Sequence, residues 1–214
     1  MKDMKESPRI DMVLDEQGFR RVASLFAGGV QVAAPVGCDL DTFFCRCLGL
    51  DPDYAATRVR TVFLNGRPVD DTSRAVLAPG DEVALSTAMP GLVGICMRRD
   101  SPIKSFRRDI SHDPAAGSSS RTGADGGGTG LVTVKLFNFI ALEAGPLLLA
   151  RGVYLSGERL ARAVAGGPGV LSVTVDGREC DAQKLCGEAR QAGEKVFFLR
   201  ATEATKGAMT VRAE

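Results

Sequence analysis

Val62-Phe63-Leu64-Asn65-Gly66-Arg67-Pro68-Val69-Asp70 returns, 111 residues later, as Val173-Thr174-Val175-Asp176-Gly177-Arg178-Glu179-Cys180-Asp181. Each stretch is an apolar, β-branched run, a turn dipeptide and a short polar arm. Asn-Gly and Asp-Gly supply the two positive-φ residues that a type I′ turn requires, so both stretches read as tight hairpins. The same offset carries Leu25-Phe26 onto Leu136-Phe137, and Gly80-Asp81-Glu82-Val83 matches Gly193-Glu194-Lys195-Val196 at an offset of 113. The chain therefore reads as two copies of one small domain in tandem.

A stretch rich in Gly, Ser, Ala and Asp, residues 113–130, lies between the copies and shows no apolar periodicity. By composition it is a flexible linker. It divides the chain into domain one (1–112, with a C-terminal extension) and domain two (131–214), and each fragment is expected to fold alone.

In the first copy, Arg20 to Phe26 reads as a strand, Ala27-Gly28-Gly29 as a hairpin turn, and Val30 to Val36 as the returning strand. Leu40, Phe43, Phe44, Cys47 and Leu48 recur at helical spacing, with Asp39 or Asp41 to cap the start and Gly49 to end it. Thr57 to Leu64, Arg67 to Val69 and Glu82 to Ser86 read as strands, the last introduced by Pro79-Gly80-Asp81. In the second copy, strands are expected at 131–137, 152–155, 170–175 and 195–200. A helical turn and a bend at Gly145-Pro146 fill 138–149. Ser156 caps a helix whose inner face is Leu160, Ala161 and Val164 and which Gly166-Gly167 stops.

Composition sets limits. The 214 residues carry 27 basic and 26 acidic side chains, a net charge of +1, which gives no global electrostatic pull toward nucleic acid or an anionic membrane. Trp is absent and Tyr numbers 2, so no base-stacking platform is advertised. Met1-Lys2-Asp3-Met4-Lys5-Glu6 lacks the apolar segment of a secretory signal, and no run approaches the roughly 20 apolar residues of a membrane span. The expected location is the cytoplasm. The six cysteines (Cys38, Cys45, Cys47, Cys96, Cys180 and Cys186) form no Cys-x-x-Cys pair, and His112 is the single histidine. They read as small buried apolar residues in a reducing compartment rather than zinc ligands. No phosphate loop, dinucleotide fingerprint or nucleophile elbow is present, so no catalytic residue, metal or cofactor is expected.

Strands wrapped around one helix in this order resemble the β-grasp, or ubiquitin-like, fold. The expected class is α+β: two tandem β-grasp domains, each a mixed sheet clasping one helix. The motifs are similar to those of the bacterial sulfur carriers, the family of the molybdopterin synthase small subunit and the thiazole-biosynthesis carrier. Val134-Lys135-Leu136-Phe137 with Ala141-Leu142-Glu143-Ala144-Gly145 resembles that family's opening strand and helical turn. Asn65-Gly66 with Leu77-Ala78-Pro79-Gly80-Asp81-Glu82-Val83-Ala84-Leu85 resembles its closing hairpin and last strand. The resemblance implies a protein partner, such as an adenylating enzyme or a pterin-synthase-like subunit. In that family the last strand runs into a free Gly-Gly terminus whose carboxylate is adenylated and converted to a thiocarboxylate. Here Gly91 falls near the first family glycine, Leu92 replaces the second, and the chain runs on. The expected function is a non-enzymatic protein-interaction module. The alternative is a sulfur carrier, released by cleavage at Gly126-Gly127-Gly128, or an accessory subunit in molybdopterin- or thiamine-type sulfur transfer.

Two segments are candidates for partner contact. Met89-Pro90-Gly91-Leu92-Val93-Gly94-Ile95-Cys96-Met97 sits where the carrier tail belongs. It reads either as a docking segment or as an extra strand or buried loop covering the sheet. Arg98, Arg99, Lys104, Arg107 and Arg108 crowd the next stretch. They form either a patch for an acidic partner or phosphate, or ordinary solvated surface, with Asp100 and Asp109 diluting the field.

Overall fold

The structure is a computed structural model that describes residues 6–113, 128–165 and 169–204. The chain opens with β1 (Arg9–Leu14), α1 (Glu16–Ala23), a 3-10 turn (Ser24–Gly28) and β2 (Val30–Pro35). Next come α2 (Leu40–Thr42), continued by a π-helical turn (Phe43–Cys47), α3 (Pro52–Thr57), β3 (Thr61–Leu64) and β4 (Arg67–Pro68). β5 (Glu82–Ser86), α4 (Gly91–Met97) and a 3-10 segment (Lys104–Ile110) complete the first half. The second half holds β6 (Thr129–Leu136), α5 (Asn138–Arg151), β7 (Val153–Ser156), α6 (Gly157–Val164), β8 (Val170–Val175), β9 (Arg178–Glu179), α7 (Ala182–Ala192) and β10 (Val196–Glu203).

The fold is mixed α/β, and its compact units do not follow the Gly-rich stretch. One unit is drawn from residues 26–148, the other from residues 2–25 together with 149–214. The first unit holds a sheet in the order β4-β3-β5-β6-β2. In it β5 and β6 run parallel, with Leu85 opposite Leu136, and the other neighbours are antiparallel. The second unit holds the order β7-β10-β1-β8-β9, in which β1 and β10 run parallel. So β6, from the second half of the sequence, is an inner strand of the first unit, and β1, from the first half, is an inner strand of the second. The expected division into 1–112 and 131–214 splits both inner pairs. Of the expected linker 113–130, residues 114–127 lie outside the described residues, and so does the cleavage point Gly126-Gly127-Gly128.

Each inner strand earns its place by alternation. Ile10, Met12 and Leu14 of β1 are buried, as are Val132, Val134 and Leu136 of β6, while their neighbours along the strand are more open. Alternate residues share one face of a strand, so these sets are core faces. Leu40, Phe43, Phe44 and Leu48 bury the face of α2 and its π turn in the first unit, as their spacing predicts. The Asp39 carboxylate caps this helix by accepting from the Thr42 N–H and hydroxyl. Gly49 (φ 74°) follows its end. In the second unit Leu160, Ala161 and Val164 are buried in α6, as expected. Gly157 starts that helix against α7: a Cβ there would overlap the Ala189 carbonyl oxygen. The stop expected at Gly166-Gly167 lies outside the described residues.

Both hairpins form as read. Asn65 and Gly66 (φ 51° and 75°) turn β3 into β4, and Asp176 and Gly177 (φ 49° and 78°) turn β8 into β9. Other expectations are corrected. Arg20 to Phe26 is no strand. Asp15 accepts from the Gly18 N–H and starts α1, and Phe19, Val22 and Phe26 are buried at i, i+3 and i+7, which is helical spacing. The true first strand, β1, precedes it. Leu25-Phe26 lies in a 3-10 turn while Leu136 ends a strand, so that dipeptide match is accidental. Thr57 to Leu64 is strand only from Thr61, since Asp51 caps α3 just before it. Residues 138–151 form one helix through Pro146 rather than a bend, and α7, capped by Asp181, fills a stretch for which no element was expected.

Candidate functional site

The first unit carries the feature that departs most from a bare sheet: the segment that follows β5. Its start is held by an interlock at the hairpin. The Asp81 carboxylate accepts from the Asn65 side-chain amide and from the Ala78 N–H, both at 2.8 Å, and the Glu82 N–H donates to the Asn65 side-chain oxygen. These bonds fix the angle at which β5 leaves the turn. Past Ser86 the chain reaches Met89 and Pro90, and Gly91 (φ 78°) allows the bend into α4. Gly94 is needed at the middle of α4, because a Cβ there would overlap the Met89 carbonyl.

The stretch 89–97 is therefore neither an extra strand nor a buried loop. It is a short helix with its apolar residues outside. Leu92 is 73% exposed, Val93 69%, and Ile95 is also exposed. Phe106 and Ile110, in the following 3-10 segment, add two more exposed apolar side chains. Apolar side chains gathered this way on one segment are the usual mark of a contact surface.

The basic residues after α4 are only partly a surface patch. Arg107 is 2% exposed. Its guanidinium donates to Asp70 at 2.7 and 3.3 Å, to the Cys96 carbonyl at 2.7 Å, to the Arg98 carbonyl at 3.1 Å and to the Ser111 hydroxyl at 2.7 Å. It is a rivet that closes the extension onto itself and onto the β4 end. Arg99 donates to the Thr72 hydroxyl and to the Ala55 and Ala56 carbonyls at the C-terminal end of α3. Burial lowers its pKa below the ordinary arginine value, with nearby Asp41 opposing. Lys104 stands 4.0 Å from Asp70. Arg108 is exposed. Of the residues singled out for partner contact, Leu92 is thus well placed at the surface, while Arg99 and Arg107 are structural.

Arg98 leads to a site the sequence did not reveal. It lines a cleft of about 520 Å³ together with Thr57, Arg58, Arg60, Thr87, Ala88, Phe139 and Glu143. Arg98 and Arg60 both pair with Asp100. Arg58 donates to Glu143 at 2.6 Å, and Glu143 also accepts from the Tyr54 hydroxyl at 2.7 Å. Those two hydrogen bonds hold the Glu143 carboxyl below the usual carboxylate range, and Glu143 raises the Arg58 pKa in return. Tyr54 is pushed well above the ordinary phenol value, first by burial and then by Glu143. A partial signal lay in the segment that forms α5. Phe139 and Glu143 are four apart on α5 and so are neighbours on one helix face.

The six cysteines are unpaired by disulfides, and each is half-buried rather than fully enclosed. Burial, reinforced by the charges of Cys47 and Asp39, pushes the Cys38 thiol up to about 11, so it stays protonated at neutral pH. Among the described residues no group of three or more His, Cys, Asp or Glu side chains is placed to hold a metal ion. Among them, too, no helix is long and apolar enough to cross a membrane. No protein-family model matches the chain, no curated protein matches it significantly in sequence, and no solved structure matches it significantly.

Proposed function

We propose that this chain is a non-enzymatic protein-interaction module built on β-grasp-like sheets, related in plan to the sulfur carriers but without their activatable end. The observation that carries the reading is the fate of the segment after β5. In a carrier, that strand delivers a thin, unhindered Gly-Gly tail to a partner's tunnel. Here the equivalent segment coils into α4 and is riveted by Arg107, while Leu92 and Val93 face outward. A tail folded this way presents a surface and has no carboxylate to activate.

Strand order supports the same reading. The order β2-β6-β5-β3-β4, with a parallel inner pair and α2 between the second and third strands, suits a β-grasp plan in which β6 is the opening strand. The partner expected from the resemblance, an adenylating enzyme or pterin-synthase-like subunit, and the cytoplasmic setting belong to this reading.

The test is a native pull-down from the source organism with the L92D/V93D double variant beside the unaltered chain. A partner captured by the unaltered chain and lost by a variant with the same melting curve supports the module. Intact mass supplies the opposing outcome. A species truncated at a glycine, with sulfur in place of one carboxylate oxygen, would make the chain a carrier after all.

A further inference from the structure

The arginine cleft in the first unit holds more positive charge than its internal partners neutralise. Arg58, Arg60 and Arg98 face two carboxylates, Glu143 and Asp100. A guanidinium has five N–H donors in a planar fork. Arg58 and Arg60 each commit one nitrogen to those partners, and the bonds from Arg98 to Asp100 are long, at 3.4 and 3.5 Å. Three forks therefore converge with donors to spare. The cavity, about 520 Å³, lies within the roughly 300–1,000 Å³ of small-molecule sites. On its wall Phe139 shows 61% of its surface to solvent although it stands beside a formed hollow.

We propose that this cleft binds a small aromatic phosphate monoester, with Arg58, Arg60 and Arg98 on the phosphate and the Phe139 ring against the ligand's ring. A phosphate dianion offers three terminal oxygens to three forks, where a carboxylate offers two, and paired guanidinium–oxyanion bonds are the strong kind. The Arg58–Glu143 pair is no barrier. Both partners are partly exposed, and exposed ion pairs contribute little, so an incoming phosphate shares Arg58 at small cost. The Thr57 hydroxyl donates to the Asp53 carbonyl, which leaves its lone pairs to accept from a ligand hydroxyl. A stacked ring gains apolar burial from Phe139 and the favourable geometry of an offset aromatic pair. The clustering of the arginines in one hollow, rather than along a stripe, selects a single small anion over a polyanion. The site stands independently of the interaction reading, because it uses neither Leu92 nor Val93.

Isothermal titration of the full chain with phenyl phosphate, inorganic phosphate and benzoate tests it. Phenyl phosphate is expected to bind with a Kd on the order of 0.1–1 mM, as its size allows. Inorganic phosphate and benzoate are expected to bind several-fold more weakly, and added salt to weaken phenyl phosphate. R60A should lower the affinity about tenfold, and F139A should bring phenyl phosphate down to the level of inorganic phosphate. E143Q removes a competing charge and should tighten binding about threefold, an effect that damage to the fold does not imitate. No saturable binding of phenyl phosphate far above that range overturns the proposal. Benzoate binding more tightly than phenyl phosphate, or affinity unchanged in both R60A and E143Q, overturns it as well.

Discussion

The two units answer the same sequence pattern with different sheets. Matched by repeat, β3, β4 and β5 of the first correspond to β8, β9 and β10 of the second. In the first unit the borrowed strand β6 sits between β2 and β5; in the second the borrowed strand β1 sits between β10 and β8. The parallel inner pair is kept, but its members have traded places. Recurrence of a hairpin therefore specifies a hairpin, not the order of the strands around it. That order comes from non-local pairing, which a local motif does not encode.

The sharpest way to break this comparison is to cut the chain. Because β1 and β6 are lent across the halves, fragments 1–112 and 131–214 are expected to lack cooperative melting when separate and to regain it when mixed. This reverses the expectation drawn from the Gly-rich stretch. Circular dichroism melts decide it, and a cooperative transition in either fragment alone refutes the exchange.

The second difference, among the described residues, is the extension that follows β5 in the first unit. R107A removes a buried guanidinium from the Cys96 and Arg98 carbonyls and leaves Asp70 to the more distant Lys104, which costs about 3 kcal/mol. Urea denaturation measures the loss, and hydrogen exchange should rise first across residues 91–111. Uniform loss of protection across both sheets would show that Arg107 supports the sheets themselves rather than the extension.

Helix packing in the second unit gives a smaller contrast. G157A drives a methyl into the Ala189 carbonyl and is expected to cost about 2 kcal/mol. In the facing helix, G187A meets open space and should add about 0.5–1 kcal/mol of stability. Equal effects from the two would dismiss the close approach of α6 to α7.

Capping separates the units last. Asp39 caps α2, whereas Ser156, at the matching point before α6, makes no side-chain cap bond. D39A should cost about 1 kcal/mol and S156A close to nothing. The hydrogen bonds from Thr42 depress the folded-state pKa of Asp39. Its contribution is therefore present above the unfolded value of about 3.9 and lost as pH falls through the lower folded value. Denaturation midpoints of D39A and the unaltered chain should converge in that acid range. A gap that persists there removes Asp39's charge from the account.

What could be read in advance has a physical pattern. The hairpins at Asn65-Gly66 and Asp176-Gly177, the helix over Leu40 to Leu48 and β5 after Gly80-Asp81 were legible, because each is dictated by residues within a few positions. β1 escaped although Ser7-Pro8 precedes it and Ile10, Met12 and Leu14 alternate, because the apolar run of α1 was taken for the strand in its place. The arginine cleft escaped for another reason. Arg58 and Arg60 precede β3, Arg98 follows α4, and Phe139 and Glu143 come from α5, so only the fold brings them together. The basic stretch misled in the opposite sense, since Arg107 looks like surface in sequence and is a buried tie in space.

The lending of strands has a consequence during synthesis. β1 leaves the ribosome long before its parallel neighbour β10, because β7, β8 and the whole first unit lie between them in the chain. At roughly 5–20 residues per second, the nascent chain carries β1 without β10 for about ten to forty seconds, while β5 waits for β6 only about two to ten seconds. Open strand edges of that duration attract other chains. Stalled nascent chains released just before Val196 should accordingly be held by chaperones, and those carrying the whole of β10 should be let go.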